Sequence, residues 1–180
     1  MKTRPRTLFA VTLAALALGA GGAAVVDAPA DAAPRCPSAV TAQTPRSATV
    51  AALRDTCSQG QFDRLFRSAE AGRLPLGVMN GQARPVGPPN TAASNAIAAV
   101  WGGKTFHRGW LNNRALGGEI VPADVFYARS SVDGRRAIRI DYRRSGLPAA
   151  HDEIRRLPNG VYLGYGFLNG GRAVDFWLWK

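Results

Sequence analysis

The stretch Arg172-Ala173-Val174-Asp175-Phe176-Trp177-Leu178-Trp179 decides the fold. Its side chains alternate with a period of two, so Val174, Phe176 and Leu178 share one face while Asp175, Trp177 and Trp179 share the other. A strand of an open antiparallel sheet commonly leaves one face to water. This strand carries apolar bulk on both. A barrel buries one face in its interior and the other beneath covering helices, so the pattern favours closure over an open sheet.

Working back along the chain, Asn169-Gly170-Gly171 reads as a hairpin turn into that strand. Before it, Val161, Leu163, Tyr165 and Phe167 oppose Tyr162, Gly164 and Gly166. The two glycines on one face imply a sharp bend or a space that another group enters. Pro158-Asn159-Gly160 and Asp133-Gly134 are further turns. Between them Ile138, Ile140 and Tyr142 share a face against Arg139, Asp141 and Arg143. Residues 120–130 are rich in β-formers. Counting back to Trp101 gives about six strands joined by short turns. The expected fold class is mainly β: an antiparallel meander forming a small barrel or strongly curved sheet, capped by one or two N-terminal helices.

Upstream the period changes. Ser47 is a suitable N-cap for a helix over residues 48–57, with Val50, Leu53 and Cys57 at helical spacing. Gly60 interrupts. A second helix fits residues 61–71, where Phe62, Leu65, Phe66 and Ala69 form one stripe and Gly72 sits at C′. Residues 73–90 are rich in proline and glycine and read as an extended connection, with Asn80-Gly81 as a turn. Residues 91–100 fit a short helix. Residues 33–46 read as an arm.

The first residues have the form of an export signal. Lys2, Arg4 and Arg6 precede an apolar run over residues 8–20, and Ala30-Asp31-Ala32 offers small residues for cleavage before Ala33. An N-terminal membrane anchor is the alternative. The expected organisation is a signal peptide over 1–32, an arm plus helical segment over 33–72 stapled by a disulfide, and a barrel-like domain over 73–180. The expected location is extracellular, the protein being secreted after cleavage near Ala32-Ala33. Cys36 and Cys57 then meet an oxidising compartment with no third cysteine in competition, so a disulfide is expected. A catalytic thiol at Cys57 would need the reduced form and a nearby histidine.

Lys+Arg number 23 against 12 Asp+Glu, a net +11 for 180 residues, and removal of the leader leaves +10. Two histidines and two cysteines exclude a His-rich metal site, a zinc ribbon and a disulfide-dense scaffold. G-x-S-x-G, H-E-x-x-H and phosphate-cradling glycine loops are missing. The pattern implies no cofactor and no metal.

Two clusters remain. His151-Asp152-Glu153-Ile154-Arg155-Arg156 offers Asp152 or Glu153 as an acid, or as a partner of Arg155, Arg143 or Arg139 across neighbouring strands. Burial separates these two roles. Trp101-Gly102-Gly103-Lys104-Thr105-Phe106 places an indole where backbone passes close by. Lys104 is the one lysine between the leader and the C-terminus, in a chain that otherwise uses arginine. A need for a point-charge donor would account for it, as would ordinary exposure.

The sequence resembles a family of uncharacterised bacterial proteins that read W-x-G-K-x-F, an N-R pair, S-x-x-D-G, I-x-x-D-Y, D-E-I-R and G-x-Y-L-G. Here these are Trp101 to Phe106, Asn113-Arg114, Ser131 to Gly134, Ile138 to Tyr142, Asp152 to Arg155 and Gly160 to Gly164. The resemblance spans the chain from about Gly72 onward and implies motif positions without a reaction. A weaker likeness is to the calycins, the lipocalin-like barrels that open on a glycine-tryptophan motif, although both glycines follow Trp101 here.

Three functions are expected. The first is a pocket for a small apolar or amphipathic molecule, with Trp101, Phe106, Tyr142 and Tyr162 as walls and Lys104, Arg114, Asp141, Asp152, Glu153 and Arg155 as polar anchors. The second is a cofactor-free enzyme using Asp152 or Glu153 as acid or base in that pocket, with Lys104 or Arg155 stabilising negative charge. The third is a basic module that adheres to an anionic polymer or membrane surface of the cell envelope, since residues 129–156 hold eight arginines against four acids. Sequence-specific nucleic-acid recognition is not expected. Oligomeric state stays open.

Overall fold

The computed structural model describes residues 35–180. Eight antiparallel strands close into a barrel in simple chain order. They are β1 (Gly77–Pro85), β2 (Trp101–Phe106), β3 (Trp110–Ala115), β4 (Gly118–Arg129), β5 (Arg136–Asp141), β6 (Ala150–Arg156), β7 (Tyr162–Leu168) and β8 (Gly171–Trp179). Closure is made by β1 pairing with β8, where Ala83 faces Phe176 and Gly81 faces Leu178. The strand that opened the argument behaves as its pattern requires. Phe176 and Leu178 lie in the barrel interior with Met79, Phe106, Leu111, Ile138, Ile140 and Ile154. Trp177 lies on the outside, beneath the helices.

Those helices are α1 (Arg46–Asp55) and α2 (Gln59–Ser68). Ser58 caps α2 through a reciprocal pair with Gln61, each side chain meeting the other's backbone N–H. Leu53, Phe62, Leu65 and Phe66 then pack on Leu163, Tyr165 and Trp177 of β7 and β8. Phe66 stacks on Tyr165 at 4.0 Å between ring centroids. A fully buried side chain of this size stabilises by about 1.5–3 kcal/mol, and a stacked pair adds about 1 kcal/mol. Cys36 and Cys57 form the disulfide, which ties the arm to the end of α1.

Two buried arginines fasten the helices to the barrel by their carbonyl ends. Arg84 of β1 donates to Leu53 O at 3.1 Å and Cys57 O at 2.6 Å. Arg155 of β6 donates to Phe66 O at 3.4 Å and lies over the Phe66 ring. Arg84 satisfies a carbonyl that the end of α1 leaves orphaned, and Arg155 adds a second donor to Phe66 O, which also accepts from Ala69 N at 3.2 Å.

Several sequence expectations are corrected. Seven strands rather than about six lie from Trp101 onward, and an eighth, β1, precedes them. The missed β1 lies inside the segment read as a connection, and Asn80-Gly81 is mid-strand rather than a turn. Asn80 pairs with Gly103 on one side and Trp179 on the other. Gly81 is needed for space: a Cβ there would come within 2.6 Å of the Trp101 ring. Pairing on both sides outweighs local turn propensity. Gly60 lies within α2, α1 begins after Pro45 rather than Ser47, and Gly72 falls beyond the C-cap Ala69. The short third helix, α3 (Thr91–Ala98), connects β1 to β2 and packs Ile97 against the interior cluster. The expected leader lies outside the described residues.

Candidate functional site

Four connections gather at one end of the barrel: α3, the Leu116-Gly117 turn, the segment from Tyr142 to Ala149, and the Asn169-Gly170 turn. Just inside this mouth stands a cluster of buried polar side chains. Lys104 of β2 is only 2% exposed. Its ammonium donates to Asn113 Oδ1 at 2.7 Å and to the Tyr142 hydroxyl at 2.6 Å, and pairs with Asp152 Oδ2 at 2.9 Å. An ammonium has three N–H groups, and all three are used. The Tyr142 hydroxyl in turn donates to Asp152 Oδ2 at 2.7 Å. Asp152 Oδ1 takes part in neither contact.

Each member is placed by the local fold. Lys104 and Asn113 are directly paired across the β2–β3 hairpin. Asn113 Nδ2 donates to Val121 O at 3.0 Å, which turns its carbonyl oxygen toward Lys104. Tyr142 opens a 3-10 turn, Tyr142–Ser145, whose N-cap Asp141 accepts from Arg143 N at 3.0 Å. Asp152 faces Gly166 of β7, where a Cβ would lie 3.2 Å from Oδ1 and collide with Val174. The missing side chain is what gives the carboxylate room. Gly164 similarly yields its place to the Phe176 ring.

The charges lie in an aromatic setting. Lys104 Nζ is 5.2–5.5 Å from the ring centroids of Phe176, Tyr142 and Trp101. Burial, then the charge of Asp152 and its hydrogen bond, push the Tyr142 phenol well above its ordinary range. Tyr142 therefore remains a protonated donor at any physiological pH.

Two cavities adjoin the cluster. One, of about 230 Å³, is bounded by Ile97, Val174, Phe176, Lys104 and Asp152. The other, of about 260 Å³, is bounded by Ile120, Val121, Leu147 and Ala150. Trp101, Asn113 and Tyr142 line both. The mouth is thus a two-lobed, mainly apolar recess with a polar floor, and the Trp101 indole stands between the lobes.

Of the residues singled out from sequence, Trp101, Lys104, Tyr142 and Asp152 meet here. Phe106 is on the same strand as Lys104, packed in the interior core. Tyr162 also points inward, but its hydroxyl donates to Arg73 O at 2.7 Å outside the recess. Arg114 lines a separate surface cleft beside Glu119. Asp141 shapes the turn that carries Tyr142. Glu153 and Arg155 sit on the outer face of β6, opposite to Asp152. Glu153 accepts from the hydroxyl and backbone N–H of Ser131, and Arg155 grips Asp133 at 2.7 Å. That grip holds the Asp133 carboxyl below its ordinary range. Sequence reasoning overlooked Asn113, Ile97, Val121, Leu147, Val174 and Phe176 as site residues. For Asn113 a signal existed: a hairpin centred on Arg108-Gly109 pairs it with Lys104.

A solved structure of a protein from Thermomonospora curvata is similar in fold, with a TM-score of 0.51 and 19% identity over 75% of this chain and 95% of that one. No protein-family model and no curated protein matches the chain.

Proposed function

We propose that the protein is exported and binds a small, largely apolar molecule in the mouth of its barrel. The observation that carries this reading is the convergence of Lys104, Asp152, Tyr142 and Asn113 on the floor of an apolar recess. A buried ion pair seldom improves stability over apolar residues of the same volume. A protein that retains one beside a cavity has a use for it. The residues drawn together, Trp101, Lys104, Tyr142 and Asp152, also belong to the motifs on which the family resemblance rests. The Cys36–Cys57 disulfide supports an extracellular location, together with the leader-like N-terminal sequence.

The floor also selects the head of the ligand. It is neutral overall, and every Lys104 donor is already used. The acceptor that remains is Asp152 Oδ1. A ligand with a hydroxyl or N–H group at the end of an apolar body fits this floor better than a carboxylate does. Native mass spectrometry of gently extracted protein will show retained ligand. In titrations of the delipidated protein, a medium-chain alcohol will quench Trp101 fluorescence at lower concentration than the matching fatty acid. Equal or reversed preference would refute the assignment of the head group.

Asp152 beside Lys104 at a cavity also suits an acid–base enzyme, the second reading. In that case Asp152→Asn abolishes turnover of a bound ligand while leaving the fold intact. Glu153 has no part in this chemistry, since its carboxylate is taken up by Ser130 and Ser131 on the other face.

A further inference from the structure

The barrel end opposite the mouth carries another cleft, of about 420 Å³. Leu74, Pro75 and Met79 form its apolar part, and its charged part consists of Arg46, Arg73, Arg156 and Lys180. No Asp or Glu side chain lines it. None of the four cations forms an ion pair with a side chain among the described residues. Some arginines elsewhere are matched, Arg155 by Asp133, Arg172 by Asp63 and Asp175, and Arg144 by Asp124. Arg64, Arg67, Arg108, Arg114, Arg129 and Arg136 also lack an ion pair and lie outside the cleft; what sets it apart is that four such cations line one cavity.

The arginines converge because the backbone makes them. Gly160, in the turn between β6 and β7, has φ +92°. The point its Cβ would occupy lies 3.4 Å from Arg156 Nη2 and 3.6 Å from Arg46 Nε. Two guanidinium groups thus approach one spot from different elements. Arg46 is held there by bonds to Asn159 O at 2.9 Å and Lys180 O at 3.3 Å. Arg156 is anchored through its backbone N–H to Glu70 O at 2.6 Å, with its stem against Gly72. Arg73 joins them through its carbonyl, which accepts from Tyr162. Like charges gathered with no acidic side chain between them repel one another until an anion enters. Arg46 is also the first residue of α1, whose N-terminus has no side-chain cap and no acid in its first turn. That adds partial positive charge at the same place.

We infer that this cleft is a second binding site, for a phosphoryl group. Guanidinium forks match tetrahedral oxyanions in pairs, and two such cations around one point, with Arg73 and Lys180 lining the same cleft, suit a multiply charged group better than a lone carboxylate. The site is separate from the mouth and shares no residue with the recess there. The phosphoryl group belongs either to a free phosphorylated ligand or to a phospholipid headgroup.

The experiment is calorimetric titration of the oxidised protein with pyrophosphate at physiological salt, which suppresses adhesion driven by net charge alone. A parallel arm measures sedimentation with vesicles of phosphatidylcholine containing phosphatidylglycerol. Arg156→Gln and Arg73→Gln each weaken binding by about tenfold or more, and the exposed Arg108→Gln changes it by less than about twofold. Unchanged melting temperatures show that the variants fold, and with two independent substitutions the test does not rest on one. Pyrophosphate binding with this dependence supports a free ligand. Vesicle binding alone with the same dependence supports a headgroup. Binding of neither probe, or an equal loss in Arg108→Gln, overturns the inference.

Discussion

Replacing Lys104 by Met separates the stability of the mouth cluster from its use. The ammonium makes three contacts of 2.6–2.9 Å in a setting where its own side chain is 3% exposed and that of Asp152 is 11% exposed. Removing it leaves a nearly buried carboxylate with only the Tyr142 hydroxyl as a donor. Breaking a buried pair from one side costs about 3–5 kcal/mol. For a domain of this size each kcal/mol lowers the melting temperature by about 2–4 °C, so a fall of roughly 10 °C is expected. The double variant Lys104→Met/Asp152→Leu removes both charges and fills their volume. Tyr142 and Asn113 then pair with each other, already being 3.4 Å apart. Its stability should return to within about 1–2 kcal/mol of the parent. Urea denaturation followed by tryptophan fluorescence measures all four corners of the cycle. Binding of the alcohol probe should be lost in the double variant despite its recovered fold. A single variant as stable as the parent would disprove the buried pair. A stable double variant that still binds the probe would remove the cluster from function.

Burial, reinforced by Arg139, holds the His151 imidazole below its ordinary pKa. A depressed value favours the neutral form in the folded state, so stability is complete above about pH 6.5 and declines as pH falls below it; melting curves should show this slope and His151→Gln should flatten it. Reducing the Cys36–Cys57 bridge, which spans 21 positions, should cost about 3 kcal/mol in the same urea assay, and no change would place the arm outside the folding unit. Gly81→Ala puts a methyl 2.6 Å from the Trp101 ring and should lower stability by about 1–3 kcal/mol. Because the indole must move, probe binding should fall as well, and intact binding would show that Trp101 does not shape the recess.

Alternation carried most of the fold. Period two in β5, β7 and β8 needs no tertiary knowledge, and the doubly apolar last strand pointed to closure. What escaped was β1, where Gly81 and Pro85 carry local signals for a turn. Its strand character comes from two partners, β2 and β8, that lie far away in sequence. The site was partly readable for the same reason. Alternation tells Asp152 from Glu153 but not which of them faces inward, because β6 buries both faces. Arg155 looked like a ligand anchor because buried arginine and binding arginine are alike in sequence. Only the position of α2 shows that it closes a helix end.

The buried charges fall into two kinds, and the contrast bears on function. Arg84 and Arg172 meet Asp175, and Arg172 also meets Asp63 of α2 at 2.8 Å. Burial works against ionisation of Asp63, yet the hydrogen bonds from Arg172, Gln59 and Tyr165 hold its carboxyl below the ordinary range. Arg155 similarly joins β6 to Asp133 and to the end of α2. Arg84 and Asp175 are ladder partners of β1 and β8, but Arg84 also binds Leu53 O of α1, Arg172 reaches Asp63 of α2 and Arg155 reaches Phe66 O of α2, so each group ties a helix to the barrel where no ladder of backbone hydrogen bonds does. The Lys104 cluster joins only β2, β3, β6 and the turn after β5, which the closed sheet already joins. It is also built on lysine where the fastening groups use arginine. A guanidinium spans two elements with its fork, whereas an ammonium gathers several acceptors around one point. A cluster that fastens no helix, costs desolvation and faces a cavity on its open side is the feature on which the proposed binding role rests.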